Sequence, residues 1–166
     1  MRTARELLEI VGFAGEPLDI ALGVAFAESS GFTDAVGDYA IVTAKWGPSV
    51  GLFQVRTLKD PLGFSVADRV RDIEKLRDPV FQAYAAWVLS AKGTNWAPWS
   101  VFTSGSYLPH KGNDFALRTG HDEADRWNLQ GYSIRDIDPL KAQLEATRAE
   151  VVLLQAKVAA AKAALA

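Results

Sequence analysis

The run from Leu18 to Ala27 constrains this chain more than any other feature. Leu18, Ile20, Ala21, Leu22, Val24, Ala25, Phe26 and Ala27 leave only Asp19 and Gly23 between them. Pro17 suits the first turn of a helix, and Glu28-Ser29-Ser30-Gly31 reads as its end. A helix that is apolar on every side belongs in a core, so the remaining segments must wrap around it. With 166 residues and 49% hydrophobic content, the chain has material for one domain with a core and too little for two.

The other segments fit a mainly α architecture. A capping-box pattern, Thr3-x-x-Glu6, precedes Leu7, Leu8 and Val11 on one helical face, and Gly12 and Gly15 break that helix. Residues 31–50 read as a long loop or small β excursion, with Tyr39, Ile41 and Thr43 alternating as a short strand would. A new apolar stretch runs from Gly51 to Val55, and Pro61-Leu62-Gly63 marks a break. Helical patterns follow at about 66–76 and 80–91, separated by Asp78-Pro79, and Gly93 ends the second. Residues 94–112 read as an aromatic loop, and part of 113–128 as a shorter helix. From Asp138 the composition shifts. Leu140, Leu144, Thr147, Val151, Leu154, Val158, Ala161 and Leu165 keep an unbroken heptad spacing. The expected organisation is a globular domain over 1–130, a linker over 131–137 and a coiled-coil-like helix over 138–166. That helix could self-associate, attach to another module or remain a solvated linker.

Charge and composition narrow the functions. The net charge of −2, from 18 basic and 20 acidic residues, does not suit a nucleic-acid binder working through bulk charge. The absence of cysteine removes disulfides, thiolate metal sites and a cysteine nucleophile. No apolar run is long enough to insert in a membrane, and the first residues lack the apolar region of a signal peptide. His110 and His121 have aspartates nearby but no spacing that defends a metal site, so no metal or cofactor is expected.

Glu28 is the sharpest chemical feature. An apolar surround and a helix C-terminus both disfavour its anion, which should raise its pKa toward neutrality. A carboxyl group in that state suits general-acid catalysis, such as protonation of a glycosidic oxygen.

The neighbours of Glu28 carry a resemblance. Glu28-Ser29-Ser30-Gly31-Phe32 is followed by Gly51-Leu52-Phe53-Gln54, then by Trp96-Ala97-Pro98-Trp99 and Ser104-Gly105-Ser106-Tyr107. In this order the motifs resemble the soluble lytic transglycosylases and goose-type lysozymes. The stretch from Trp46 to Val55 looks like the domains of actinobacterial phage lysins and tail proteins. The resemblance covers roughly residues 5–130 and implies a lysozyme-like fold acting on peptidoglycan glycan strands. It implies that Glu28 is the catalytic acid/base, that Ser29 helps orient the site, and that Gln54 hydrogen-bonds the sugar. Gly51 would let backbone approach closely. The third motif departs from the Ala-Tyr-Asn-Ala-Gly type of many transglycosylases. Trp99, Ser104 and Tyr107 are the candidates there for sugar contact, while Trp87 and Trp96 read better as core.

Two routes of strand cleavage follow from the resemblance. A lytic transglycosylase needs Glu28 alone and forms 1,6-anhydroMurNAc at the MurNAc-β-1,4-GlcNAc bond; this is the first expectation. A muramidase needs a second carboxylate, for which Asp38, or else Asp34, is placed. A catalytically idle glycan-binding or structural phage module is the third reading. Delivery by a virion or after holin action is what the resemblance implies for a chain without a signal peptide.

Overall fold

The computed structural model describes residues 3–60 and 65–121. Helix α1 (Ala4–Val11) starts where its cap predicts. Thr3 Oγ1 accepts from the Glu6 N–H at 3.3 Å, and the Glu6 carboxylate accepts from the Thr3 N–H at 3.0 Å. Gly12 closes the helix in a left-handed conformation. Helix α2 (Gly15–Ser29) buries Leu18, Ala21, Leu22, Gly23, Val24 and Ala25. It packs on α1, on the turn at Leu108–His110 and on helix α5 (Ser100–Thr103). Gly23 makes that packing possible. A Cβ there would lie 2.8 Å from the Tyr107 carbonyl oxygen, so only glycine lets the later chain rest directly on the helix.

The β excursion is a three-stranded antiparallel sheet in the order β1 (Val36–Gly37), β2 (Trp46–Val50), β3 (Val55–Leu58). Val36 pairs with Val50, and Val50 with Val55. The alternation of Tyr39, Ile41 and Thr43 is not a strand. Asp38 takes a left-handed conformation (φ 62°), which ends β1, and Tyr39–Ile41 forms a 3-10 turn with Ile41 52% exposed. Of the three alternating residues only Tyr39 packs against the core, too little to hold the segment extended. The strand lies instead at 46–50, despite Pro48. The register shifts between Trp46 and Ser49, and such a bulge is where a residue lacking an N–H fits.

The helix expected over 66–76 is short. Helix α3 (Val66–Arg69) is followed by turns and a 3-10 segment at Lys75–Arg77. The Asp72 carboxylate accepts from the Glu74 N–H at 3.0 Å, a local bond that competes with continuing the helix. Helix α4 (Pro79–Leu89) begins as read, with Asp78 accepting from the Val80 N–H at 2.8 Å and Pro79 in the first turn. The aromatic loop contains α5 and the Leu108–His110 turn. Residues 113–121 are not helical. Ala116 bridges to Thr3 and Arg118 to Phe32, so this part of the chain straps across the ends of α1 and α2. The break at 61–63, the remainder of the expected 113–128 helix, the linker at 131–137 and the heptad helix at 138–166 lie outside the described residues.

Phe13, Phe53, Trp96 and Trp99 fill the core around α2, with ring centroids 5.2 Å apart for the two tryptophans. Gln82 of α4, wholly buried, joins three segments. Its Oε1 accepts from the Leu52 N–H at 2.9 Å, and its Nε2 donates to the carbonyls of Thr33 at 2.7 Å and Leu76 at 2.6 Å.

Candidate active site

Glu28 sits in the last turn of α2, and the end of that turn is fixed locally. Ser29 is 7% exposed; its hydroxyl donates to the Ala25 carbonyl at 2.9 Å and accepts from the Gly31 N–H at 3.2 Å. Ser30 then turns the chain in a left-handed conformation. Ser29 therefore spends its hydrogen bonds on the helix end and does not line the cleft. It touches the site only through the backbone that carries Glu28.

Glu28 faces an open cleft of ≈ 350 Å³. The sheet and its turns supply Gly37, Asp38, Ser49, Gln54, Val55 and Arg56 to it, and the turn after α3 supplies Arg71. Leu89 and the Pro98-Trp99-Ser100 segment complete the lining. The Glu28 carboxyl is pushed up from 4.5 to about 7, first by burial and then by the negative charge of Asp38. A carboxyl group at that value holds its proton for a substantial fraction of the time near neutral pH and can still release it. Asp38 is held in turn by the Ser49 hydroxyl, which donates to its carboxylate.

Gln54 is oriented from behind. Its Nε2 donates to the Gly51 carbonyl at 3.0 Å and the Ala35 carbonyl at 3.2 Å. Both amide hydrogens are thereby engaged, and Oε1 is left to accept. Gly37 makes room for that oxygen, since a Cβ there would lie 2.6 Å from it. The amide can thus accept from a sugar hydroxyl or N–H but has no donor to offer. Gly51 has a different use from the one read in the sequence. Its φ is +74°, and a Cβ would meet Nε2 and Oε1 of Gln82 at 2.6 Å. The close approach it permits is to a buried amide of its own chain.

The structure brings Glu28, Asp38, Gln54 and Trp99 to one cleft and leaves the other candidates outside it. Trp99 contributes little surface: it is 5% exposed, and its indole N–H donates to the Phe53 carbonyl at 2.8 Å. That burial makes it a core residue that borders the cleft, poorly placed to stack a sugar on its face. Ser104 bonds the Val101 carbonyl and the Ser106 hydroxyl, and Tyr107 stacks on Phe102 at 4.9 Å. Asp34 is also elsewhere. Its carboxylate accepts from the N–H groups of Gly120 and His121, anchoring the C-terminal strap. Trp96 is 3% exposed, and Trp87 packs edge-on against Phe13, both as core. His110 lies against Phe26 and His121 against Phe32. Among the described residues no group of three or more His, Cys, Asp or Glu side chains is placed to hold a metal ion.

Sequence reasoning missed Ser49, Arg56 and Arg71. Ser49 lies inside the segment that carries the resemblance but offers no signal of its own. Arg56 follows Gln54 by two residues, but Gln54 lies in the left-handed turn before β3, so strand alternation gives no signal for it. Arg71 reaches the cleft through a turn whose course the sequence does not give.

The chain belongs to a family described as a lysozyme-like domain, whose model matches residues 5–101, more than half of its length. The match takes in every cleft residue named above. No curated protein and no solved structure matches the chain. No helix among the described residues is long and apolar enough to cross a membrane. Membership of this family makes peptidoglycan the indicated substrate and glycan-strand cleavage the indicated activity.

Proposed function

We propose that the protein cleaves the β-1,4 bond between MurNAc and GlcNAc in peptidoglycan, with Glu28 protonating the departing oxygen. The observation that carries this reading is the raised pKa of Glu28 inside a groove-like cleft, beside an oriented amide acceptor, Gln54. The proton moves from the Glu28 carboxyl to the glycosidic oxygen as the C1–O bond breaks. Glu28 is then a carboxylate and acts as the base that completes the second half of the reaction.

Two second halves are chemically open. In a lytic transglycosylase the C6 hydroxyl of MurNAc attacks C1, Glu28 takes its proton, and a 1,6-anhydro sugar results. That route needs one carboxylate and is the first expectation from the sequence resemblance. In a muramidase water attacks, and a second carboxylate serves as its base or as the nucleophile. Asp38 lies in the same cleft, near enough to raise Glu28 and aligned by Ser49. A transglycosylase would use Asp38 only through its charge, which raises Glu28, whereas a muramidase would also use it on water or on C1; this is what supports the hydrolytic reading, with Asp38 and not Asp34 as the second carboxylate.

Mass spectrometry of the products from purified peptidoglycan separates the routes. Reducing MurNAc ends that disappear in Glu28→Gln, and nearly disappear in Asp38→Asn, are the expected result. Ends lighter by one water, formed equally well by Asp38→Asn, would establish the transglycosylase route. Product formation by Glu28→Gln would overturn the assignment of the acid, and no products from the wild type would favour an idle binding module.

A further inference from the structure

Two guanidinium groups line the cleft with no carboxylate at ion-pair distance among the described residues; Asp68 acts on Arg71 only from farther away. Arg56 donates through Nε to the Gly47 carbonyl at 2.7 Å and through Nη2 to the Ile41 carbonyl. Arg71 donates through Nη1 to the backbone carbonyl of Arg56 at 2.9 Å, and its guanidinium lies 5.4 Å from the centre of the Trp46 ring. All these partners are neutral. Among the described residues neither arginine has an ion pair, although Glu28 and Asp38 border the same cleft. Arg56 Nη1 and Arg71 Nε and Nη2 retain hydrogens that no described acceptor takes. Burial pulls the Arg71 guanidinium below its ordinary value, with Asp68 opposing.

A half-buried cation without an ion-paired carboxylate is costly to fold, and neutral carbonyls, with Asp68 beyond pairing distance, offset only part of that cost. Guanidinium forks match carboxylates in shape and charge and bind them through paired hydrogen bonds. Neutral sugar hydroxyls do not require such a pair. We infer that Arg56 and Arg71 form a carboxylate-binding subsite, which selects glycan strands bearing acidic groups beside the bond to be cleaved. The inference rests on the peptidoglycan reading, which supplies two sources of that carboxylate. One is the lactyl group of a MurNAc without peptide. The other is the stem peptide, in whose presence the lactyl carbonyl is an amide.

Arg71 is the better test position, because Arg56 holds two loop carbonyls of the sheet. The wild type and Arg71→Gln are compared on peptidoglycan and on the same material with its carboxylates capped as methylamides. Thermal melting verifies that the variant is folded, and Arg71→Lys serves as a variant that keeps the charge. The wild type is expected to lose about tenfold in kcat/KM on capping, chiefly through KM, as suits a lost charge-assisted pair. In Arg71→Gln capping should make no further difference, and Arg71→Lys should recover part of the wild-type preference. Equal cleavage of capped and native substrate by the wild type, on intact and on amidase-stripped strands alike, would overturn the subsite while leaving the glycosidase reading intact. So would a capping loss in Arg71→Gln as large as in the wild type. Absence of all cleavage would overturn the glycosidase reading itself, and the subsite with it. Strands stripped of peptide by an amidase identify the source. A capping effect on the stripped strands assigns the lactyl carboxylate, and one seen only on intact material assigns the stem peptide.

Discussion

Glu28 and Glu74 are both carboxyl groups that burial pushes upward, yet their surroundings have opposite sign. Beside Glu74 stands Arg77, with Nε 3.1 Å from the carboxylate, and the cation works against the effect of burial. Lys75 pairs in the same way with Asp72 at 3.7 Å. This cluster lies at the 3-10 segment leading into α4 and balances its charges locally. Beside Glu28 stands Asp38, which adds to the effect of burial, and no cation pairs with either among the described residues. Burial alone therefore does not mark a catalytic acid. What separates the two is that Glu74 has a cation that offsets part of the rise caused by burial and Asp72, while Glu28 has beside it only an anion that adds to the rise.

The comparison breaks most easily at turnover. Glu28→Gln should lower kcat by about a hundredfold to ten-thousandfold, the usual worth of a positioned general acid, whereas Glu74→Gln should leave kcat within a few-fold. Rates on purified peptidoglycan check both. The reverse holds for stability. Arg77→Ala leaves Glu74 without its cation and should cost on the order of 1–2 kcal/mol in denaturant unfolding, less than a fully buried pair because both side chains keep some exposure.

Glu28→Gln should instead stabilise the fold, and only above a certain pH. The folded value of about 7 exceeds the ordinary 4.5, so the folded state holds the proton more tightly. Wild-type stability attributable to this group is full below 4.5 and is lost as pH rises through 7. At pH 8 the variant should be the more stable by on the order of 1–2 kcal/mol, discounted for partial exposure, and the difference should vanish at pH 4. Melting curves at the two values decide it. The smallest effect sharpens the role of Asp38. Removing its charge in Asp38→Asn should lower the Glu28 pKa, moving the alkaline limb of residual activity to lower pH by a fraction of a unit. An unmoved limb would mean that burial alone sets the acid.

Much of this contrast was open to reading in advance, and the reasons differ by segment. Glu28 was legible because its helix is apolar on every side and ends at that carboxyl. The cap of α1 and the break before α4 were legible because Thr3, Glu6 and the Asp78-Pro79 pair act on their own neighbours. The sheet was read in outline only. Its strand at 46–50 includes a proline that alternation rules penalise, and the bulge that accommodates it is a property of pairing, not of one segment. Tyr39 to Thr43 have the residue types of a strand, but the left-handed turn at Asp38 sends Tyr39–Ile41 into a 3-10 segment. Arg71 could not be found, because its place in the cleft depends on where α3 stops, and a single hydrogen-bonding aspartate, Asp72, competes there with its continuation. Gln54 was placed at the site, but its loss of donor capacity comes from two carbonyls that only the fold brings near.

Gly51 and Gln82 carry a consequence for how sequences of this kind can vary. Position 51 touches the amide of position 82, thirty-one residues later in the chain, so the two cannot be altered independently. Any side chain at 51 overlaps that amide, and any shortening at 82 strands three buried polar groups of the backbone. Epistasis between them should be strong. A double variant that places a side chain at 51 and a smaller residue at 82 should be less damaged than the sum of its single changes, so the route from one such sequence to another passes through a deep valley or through both positions at once.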